Sequence, residues 1–322
     1  MMQIVMPIFF IAIALVALYY GAEWLVDGGS GIALRLKISP MVIGLTLVAC
    51  ATSAPELTVS LDSAWQGLDG MALGNVIGSN ICNIALILGL TALVKPIAVN
   101  FSIFRLEMPL MLLATVLLAA LTYFCGGVSR LPAMAMLTLL GAYMWWNVHQ
   151  ARRGKEPADA SQEVEVPRKL RPAWQYLLLA LAGLVFLVGG GKLFVAGAVE
   201  LARLMHVSET VIGLTIVAVG TSLPELATSL VAALKGEQDL AIGNVVGSNV
   251  FNILCIVGLT AAIRPLKAMD ITLVDLATML AATFLLPPMM LTDRKISRPE
   301  GALLLLIYVG YLVVLVKAAT GA

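Results

Sequence analysis

Residues 42–57 read VIGLTLVACATSAPEL, and residues 211–226 read VIGLTIVAVGTSLPEL. The second stretch is the first displaced by 169 positions. Working outward, 39–96 aligns with 208–265 without a gap, and 32 of the 58 aligned positions are identical. Thr52-Ser53-Ala54-Pro55-Glu56 returns as Thr221-Ser222-Leu223-Pro224-Glu225. Gly74 to Asn80, GNVIGSN, returns as Gly243 to Asn249, GNVVGSN, and Asn83 returns as Asn252. A duplicated packing module would preserve apolar size and small residues. It gives no reason to keep a Glu, a Thr-Ser pair and several Asn inside apolar runs, where a buried charge is costly.

The surroundings of this repeat set its environment. The chain has 322 residues, 60% hydrophobic and 12% charged, with mean hydropathy +0.98. This excludes a water-soluble globule, a disordered chain, collagen and a disulfide scaffold. A net charge of +1 gives no bias towards nucleic acid. Long apolar runs without strand-like alternation predict helices near 4–26, 41–66, 71–94, 103–124, 131–149, 173–199, 209–234, 240–263, 271–291 and 299–318. The first run has no cationic leader and no evident cleavage site, so it reads as a retained span. The stretch 151–172, ARRGKEPADASQEVEVPRKLRP, is charged, Pro-rich and aperiodic, and reads as a linker. The expected architecture is an all-α polytopic membrane protein. Its ten transmembrane helices form two inverted five-helix repeats, 1–150 and 173–322.

With ten spans, both termini share a side. That side carries five Lys and Arg, and the linker side carries fourteen. The positive-inside rule then puts the linker in the cytoplasm and both termini outside.

Five spans separate equivalent positions, and an odd number reverses the direction of insertion. Inverted repeats of this kind place transport sites near the midplane at the repeat interface. Glu56 and Glu225 both sit mid-span, which is tolerable where they face a polar cavity and meet cations. One divalent ion neutralises the pair, as do two sodium ions or two protons, and this equivalence is a chemical basis for exchange. Pro55 and Pro224 lack an amide hydrogen and break the helix. They free the carbonyls of Ala51 and Gly220 beside Ser53 and Ser222. Carboxylate, hydroxyl and carbonyl oxygens are the hard ligand set that calcium prefers. Asn75, Ser79 and Asn83 fall at i, i+4 and i+8 on one helix face, as do Asn244, Ser248 and Asn252. Ser79, Asn83, Ser248 and Asn252 read as ligands. Asn75 and Asn244 suit ligation and helix-packing hydrogen bonds equally.

The paired TSxPE and GNxxGSNxxN motifs resemble those of the calcium/cation antiporter superfamily, specifically its prokaryotic sodium/calcium exchanger branch, and the resemblance covers the whole chain. It implies alternating access in a bacterial inner membrane, with the first and sixth helices sliding past a core of the other eight. It also implies a central calcium site at Glu56 and Glu225, joined by the backbone oxygens of Thr52 and Thr221. Ser53, Ser79, Asn83, Ser222 and Ser248 would line sodium sites, with the carbonyls of Ala49 and Ala218 at their outer ends. Some relatives carry an aspartate where this chain has Asn252, so one carboxylate fewer bears on its sodium dependence. The implied partners are calcium and sodium ions and the lipid bilayer, with no cofactor, nucleic acid or obligate protein partner.

Other readings fit the same residues. Protons in place of sodium would act on the same carboxylates. A passive channel would need no counter-ion. An intramembrane enzyme with paired acids fits poorly, because the two acids have identical settings and no asymmetry assigns acid and base roles. Cys50, Cys82, Cys125 and Cys255 lie in apolar runs and read as buried small side chains. His149 and His206 read as interfacial. Glu23, Asp27 and Lys192 read as snorkelling charges, with a place at ion mouths or sliding surfaces as the functional alternative. Asp62 has Val231 as its repeat partner and is left outside the site.

Overall fold

The computed structural model describes residues 2–152 and 171–320. Most of the expected linker, 153–170, lies outside the described residues, and its first two residues continue the preceding helix. The helices are α1 (Met2–Leu36), α2 (Pro40–Thr52), α3 (Ala54–Trp65), α4 (Asp69–Val94), α5 (Glu107–Cys125), α6 (Arg130–Arg152), α7 (Ala173–Leu204), α8 (209–220), α9 (Leu223–Lys235), α10 (Gln238–Ile263), α11 (Leu273–Leu291) and α12 (Arg298–Thr320). Among the described residues seven are long and apolar enough to cross a membrane, or eight if the bent pair α2–α3 is one span. α6 lies outside that set; Tyr143, Trp145, Trp146, Asn147 and His149 lower the hydropathy of its last turns. α8 and α9 are each too short to span alone.

Two helices outrun their expected ends. α1 continues from 26 to Leu36 and α7 from 199 to Leu204. The two helices also share a seven-residue spacing of small residues. Pro7, Ala14, Gly21 and Gly28 run against Gly197, Gly190, Gly183 and the turn at Tyr176. A Cβ built on Gly183 would lie 2.6 Å from the Gly21 carbonyl oxygen, and one on Gly28 would lie 2.7 Å from the Tyr176 oxygen. Backbones therefore touch along the antiparallel pair, as small residues in membrane helices permit. The pair packs on the remaining helices mainly through α9 and α2.

Those remaining helices interlock. α12 packs on the end of α4, and α6 on the end of α10. Ile97–Ala98 pairs antiparallel with Lys295–Ile296, and Gly127–Val128 with Leu266–Lys267. The second pairing is the first shifted by one repeat, with partners exchanged and one strand displaced by a single residue, so each copy clasps the other. α4 and α10 run through the middle and are the most enclosed apolar segments. Cys82 is buried as expected, but Cys50 and Cys125 are exposed and Cys255 half-buried. In a lipid-facing position an apolar residue need not be covered by protein, so hydropathy alone misplaced them.

Candidate functional site

Both copies of TSxPE break their helix at the serine. α2 and α3 meet at a 44° bend. Ser53 has φ −82° and ψ 8°, and Ser222 has φ −90° and ψ 6°. Pro55 and Pro224 stand in the first turn of the resumed helices, where a missing N–H costs nothing and the fixed φ suits helix initiation. The following residues, Glu56 and Glu225, thus sit in the first turn of a helix, at its electropositive end. Four π-helical turns flank these breaks: Gly44–Val48 and Gly213–Val217 before them, Cys82–Leu88 in α4 and Asn252–Val257 in α10. Such wide turns frequently mark functional sites in helices. The turn holding Asn83 packs on α9, which carries Glu225, and the turn holding Asn252 packs on α3, which carries Glu56.

The carboxylates are joined crosswise. Ser53 Oγ donates to Glu225 Oε1 at 3.0 Å, and Ser222 Oγ donates to Glu56 Oε1 at 3.2 Å. All four side chains are essentially inaccessible. Asn75 and Asn244 prove to be clamps. Asn75 Nδ2 donates to the Glu56 carbonyl at 3.1 Å and to Ser60 Oγ at 2.9 Å. Asn244 Nδ2 donates to the Glu225 carbonyl at 3.4 Å and to Ser229 Oγ at 2.9 Å. Each amide fixes the backbone that carries its carboxylate. Thr52 Oγ1 donates to Asn244 Oδ1 at 3.2 Å, again across the repeats.

Several buried oxygens at this level have no protein partner among the described residues: Glu56 Oε2, Glu225 Oε2, Asn83 Oδ1, Asn252 Oδ1 and Ser248 Oγ. Ser79 is buried as well. Buried polar atoms are normally paired, so a group of orphaned oxygens calls for a ligand that accepts them. No cluster of three or more His, Cys, Asp or Glu occurs among the described residues. The donor set is instead two carboxylates with hydroxyl, amide and carbonyl oxygens, which suits hard cations and not zinc or copper. Sequence reading missed Asn80, whose Oδ1 accepts from Asn252 Nδ2 at 3.0 Å, and the anchors Ser60 and Ser229. Their identity in both repeats was the available signal.

The repeats are not in equivalent surroundings. A cavity of about 750 Å3 lies between α3 and α7, lined by Pro55, Thr58, Lys192, Val195, Thr221 and Pro224, and it reaches Arg203 near the end of α7. Thr221 borders it and Ala218 is exposed, whereas Thr52 and Ala49 are sealed. On the opposite face α1 packs directly on α9, and Lys235 Nζ is 3.2 Å from Glu23 Oε1 and 2.6 Å from Asp27 Oδ1. The cavity thus reaches Thr221 and Pro224 from one side only, while the two carboxylates themselves stay buried.

The sodium/calcium exchanger protein family model matches residues 6–149 and 175–317. A putative antiporter, CaxA, of Alkalimonas amylolytica is 42% identical over 94% of this chain and 96% of its own. The inner membrane protein YrbG of Escherichia coli (strain K12) is 38% identical over 79% of this chain and 78% of its own. The solved structure of the sodium-calcium exchanger NCX_Mj superposes with a TM-score of 0.81 at 32% identity, covering 96% of this chain and 99% of that one. With its crossed carboxylates and one-sided cavity, this chain belongs to the sodium/calcium exchanger protein family, as a transporter of the cation-antiport class and not an enzyme.

Proposed function

We propose that the chain is a secondary antiporter exchanging calcium for sodium by alternating access across a bacterial inner membrane. In this reading ten transmembrane helices form two inverted five-helix repeats, 1–150 and 173–322. Both termini face outside and 151–172 is cytoplasmic. The observation that carries the reading is the crossed pair of bonds Ser53–Glu225 and Ser222–Glu56, which holds two acids of opposite repeats at one level with a free oxygen each.

A calcium ion between those oxygens balances both charges, with the backbone oxygens of Thr52 and Thr221 completing its shell. Ser53, Ser79, Asn83, Ser222, Ser248 and Asn252 serve neighbouring sodium ions. The Ala218 carbonyl stands at the open end and the Ala49 carbonyl at the closed one. Two sodium ions replace one calcium without changing the charge in the low-dielectric interior, so each cargo can be carried only in place of the other. The ions are cargo, and no cofactor takes part.

Proton coupling is the second reading, and the neutral amide of Asn252 favours it, since fewer carboxylates remain to hold sodium. Calcium flux into proteoliposomes, with a sodium or a proton gradient imposed alone, tests both. Calcium movement driven by the proton gradient and indifferent to sodium would replace the first reading with the second. Flux without any counter-ion would make the protein a channel.

A further inference from the structure

Glu23 and Lys192 stand at the same position of the two repeats, since 192 is 23 plus 169, yet their charges are opposite. Glu23 and Asp27 on α1 both hold Lys235, the last residue of α9. The repeat partner of Lys235 is Gln66, just beyond the end of α3. In this structure the second set of equivalents is apart: Lys192 lines the cavity that separates α7 from α3, and it has no ion-pair partner among the described residues. Asp62 continues the face of Thr58, one turn further along α3, and accepts from Gln66 Nε2 at 2.8 Å. An unpaired cation therefore faces, across the cavity, a helix whose outer end carries a carboxylate held in place by its neighbour.

If α7 packs on α3 as α1 now packs on α9, position 192 meets position 66 as position 23 now meets 235. We propose that Glu23, Asp27 and Lys235 latch one mouth of the pathway shut, and that Lys192 latches the other by docking on Asp62 and Gln66. Position 23 and its repeat equivalent 192 then close the two mouths with opposite charges, while their partners, Lys235 on one side and Asp62 with Gln66 on the other, need not be equivalent in charge. Sign reversal has a physical use. Lys192 cannot pair with Lys235, and Glu23 cannot pair with Asp62, so each latch accepts only its own partner. Like charges facing each other disfavour the wrong pairing. The partly exposed ion pairs are weak individually, which suits a gate that must open in every cycle. The inference rests on the alternating-access reading above.

The test uses the full chain with Cys50, Cys82, Cys125 and Cys255 replaced and Thr58→Cys as a reporter on the cavity wall. A membrane-impermeant thiol reagent reads how often the cavity is open, and the measurement needs no transport. Lys235→Gln should slow modification at least threefold, because the opposite mouth no longer holds shut and the population shifts away from the open cavity. The double variant Glu23→Gln with Asp27→Asn should do the same. Adding Lys192→Gln to Lys235→Gln should return the rate towards the native value, since both latches are then gone. Equal modification of all variants in denaturant, and unchanged elution as a single species, separate gating from misfolding. An unchanged rate in both latch variants overturns the proposal, as does a slowed rate that Lys192→Gln fails to restore. Sodium-driven calcium flux by the native protein is measured separately, so a failed latch and a failed exchange reading are told apart.

Discussion

Ser53 Oγ reaches Glu225 Oε1 at 3.0 Å, a hydrogen bond from the first repeat into the carboxylate of the second. Its mirror image, Ser222 to Glu56, makes the two acids a single unit. Neither repeat can build the site alone, because each supplies the hydroxyl that orients the other's acid. One oxygen of each carboxylate is held, and the other has no hydrogen-bond partner among the described residues.

Neutralising either acid should stop calcium transport while the protein stays folded. Glu56→Gln and Glu225→Gln keep the shape and the serine contact but remove half the negative charge facing a divalent ion. Calcium flux in proteoliposomes should fall at least a hundredfold, with the melting temperature in detergent unchanged or raised. Native flux in either variant would remove that residue from the central site.

Removing one crossed hydroxyl should weaken calcium binding without abolishing it. A hydrogen bond to a charged group contributes about 1.5–3 kcal/mol, and about 1.4 kcal/mol is a factor of ten in affinity. Ser53→Ala should therefore raise the calcium KM by about tenfold to a hundredfold. Combined with Glu225→Gln in a binding measurement, it should cost little more than Glu225→Gln alone, because the two groups share one interaction. Additive losses would show that Ser53 acts independently of Glu225.

The close contact of α1 and α7 makes a steric prediction. Gly183→Val places carbon 2.6 Å from the Gly21 oxygen and the Leu25 nitrogen. Overpacking of this kind costs about 1–3 kcal/mol, so the melting temperature should drop by several degrees. Gly189→Val, where nothing lies within 4 Å, is the control and should melt near the native temperature. Equal melting of the two variants would contradict the packing.

Asn252→Asp adds a third acid of nearly the same size beside the pair. One calcium ion balances two carboxylates, so the extra charge calls for another monovalent cation. The variant should show steeper sodium or pH dependence of calcium flux than the native protein. Superimposable curves would place Asn252 outside the ion pathway and leave its bond to Asn80 as its role.

Orientation is open to a simple reporter. The imbalance of fourteen cations to five predicts that both chain ends are outside. A fluorescent protein that matures only in the cytoplasm should stay dark when fused at the C-terminus and glow when inserted within 153–170. The opposite pattern would invert the topology and exchange the inner and outer mouths.

The sequence by itself determined the repeat, the polar residues it keeps and the place of the helix breaks. Glu, Ser, Asn and Pro recurring at one offset inside apolar runs are too costly to be kept for packing, so Glu56 and Glu225 were legible from residue types alone. It also located Asn75 and Asn244 on the right helix faces, but periodicity says which way a side chain points and not what it meets. Only the tertiary structure decided that these amides clamp the carbonyls of the two acids. It likewise decided that Asn80 joins Asn252, because that contact joins residues 172 positions apart. The asymmetry was least legible. Thr52 and Thr221 stand in nearly identical sequence, yet one is sealed and the other borders a cavity. That difference arises from where the α1–α7 pair sits against the remaining helices. The two copies carry almost the same local signals, and their relative placement is a property of the packed whole.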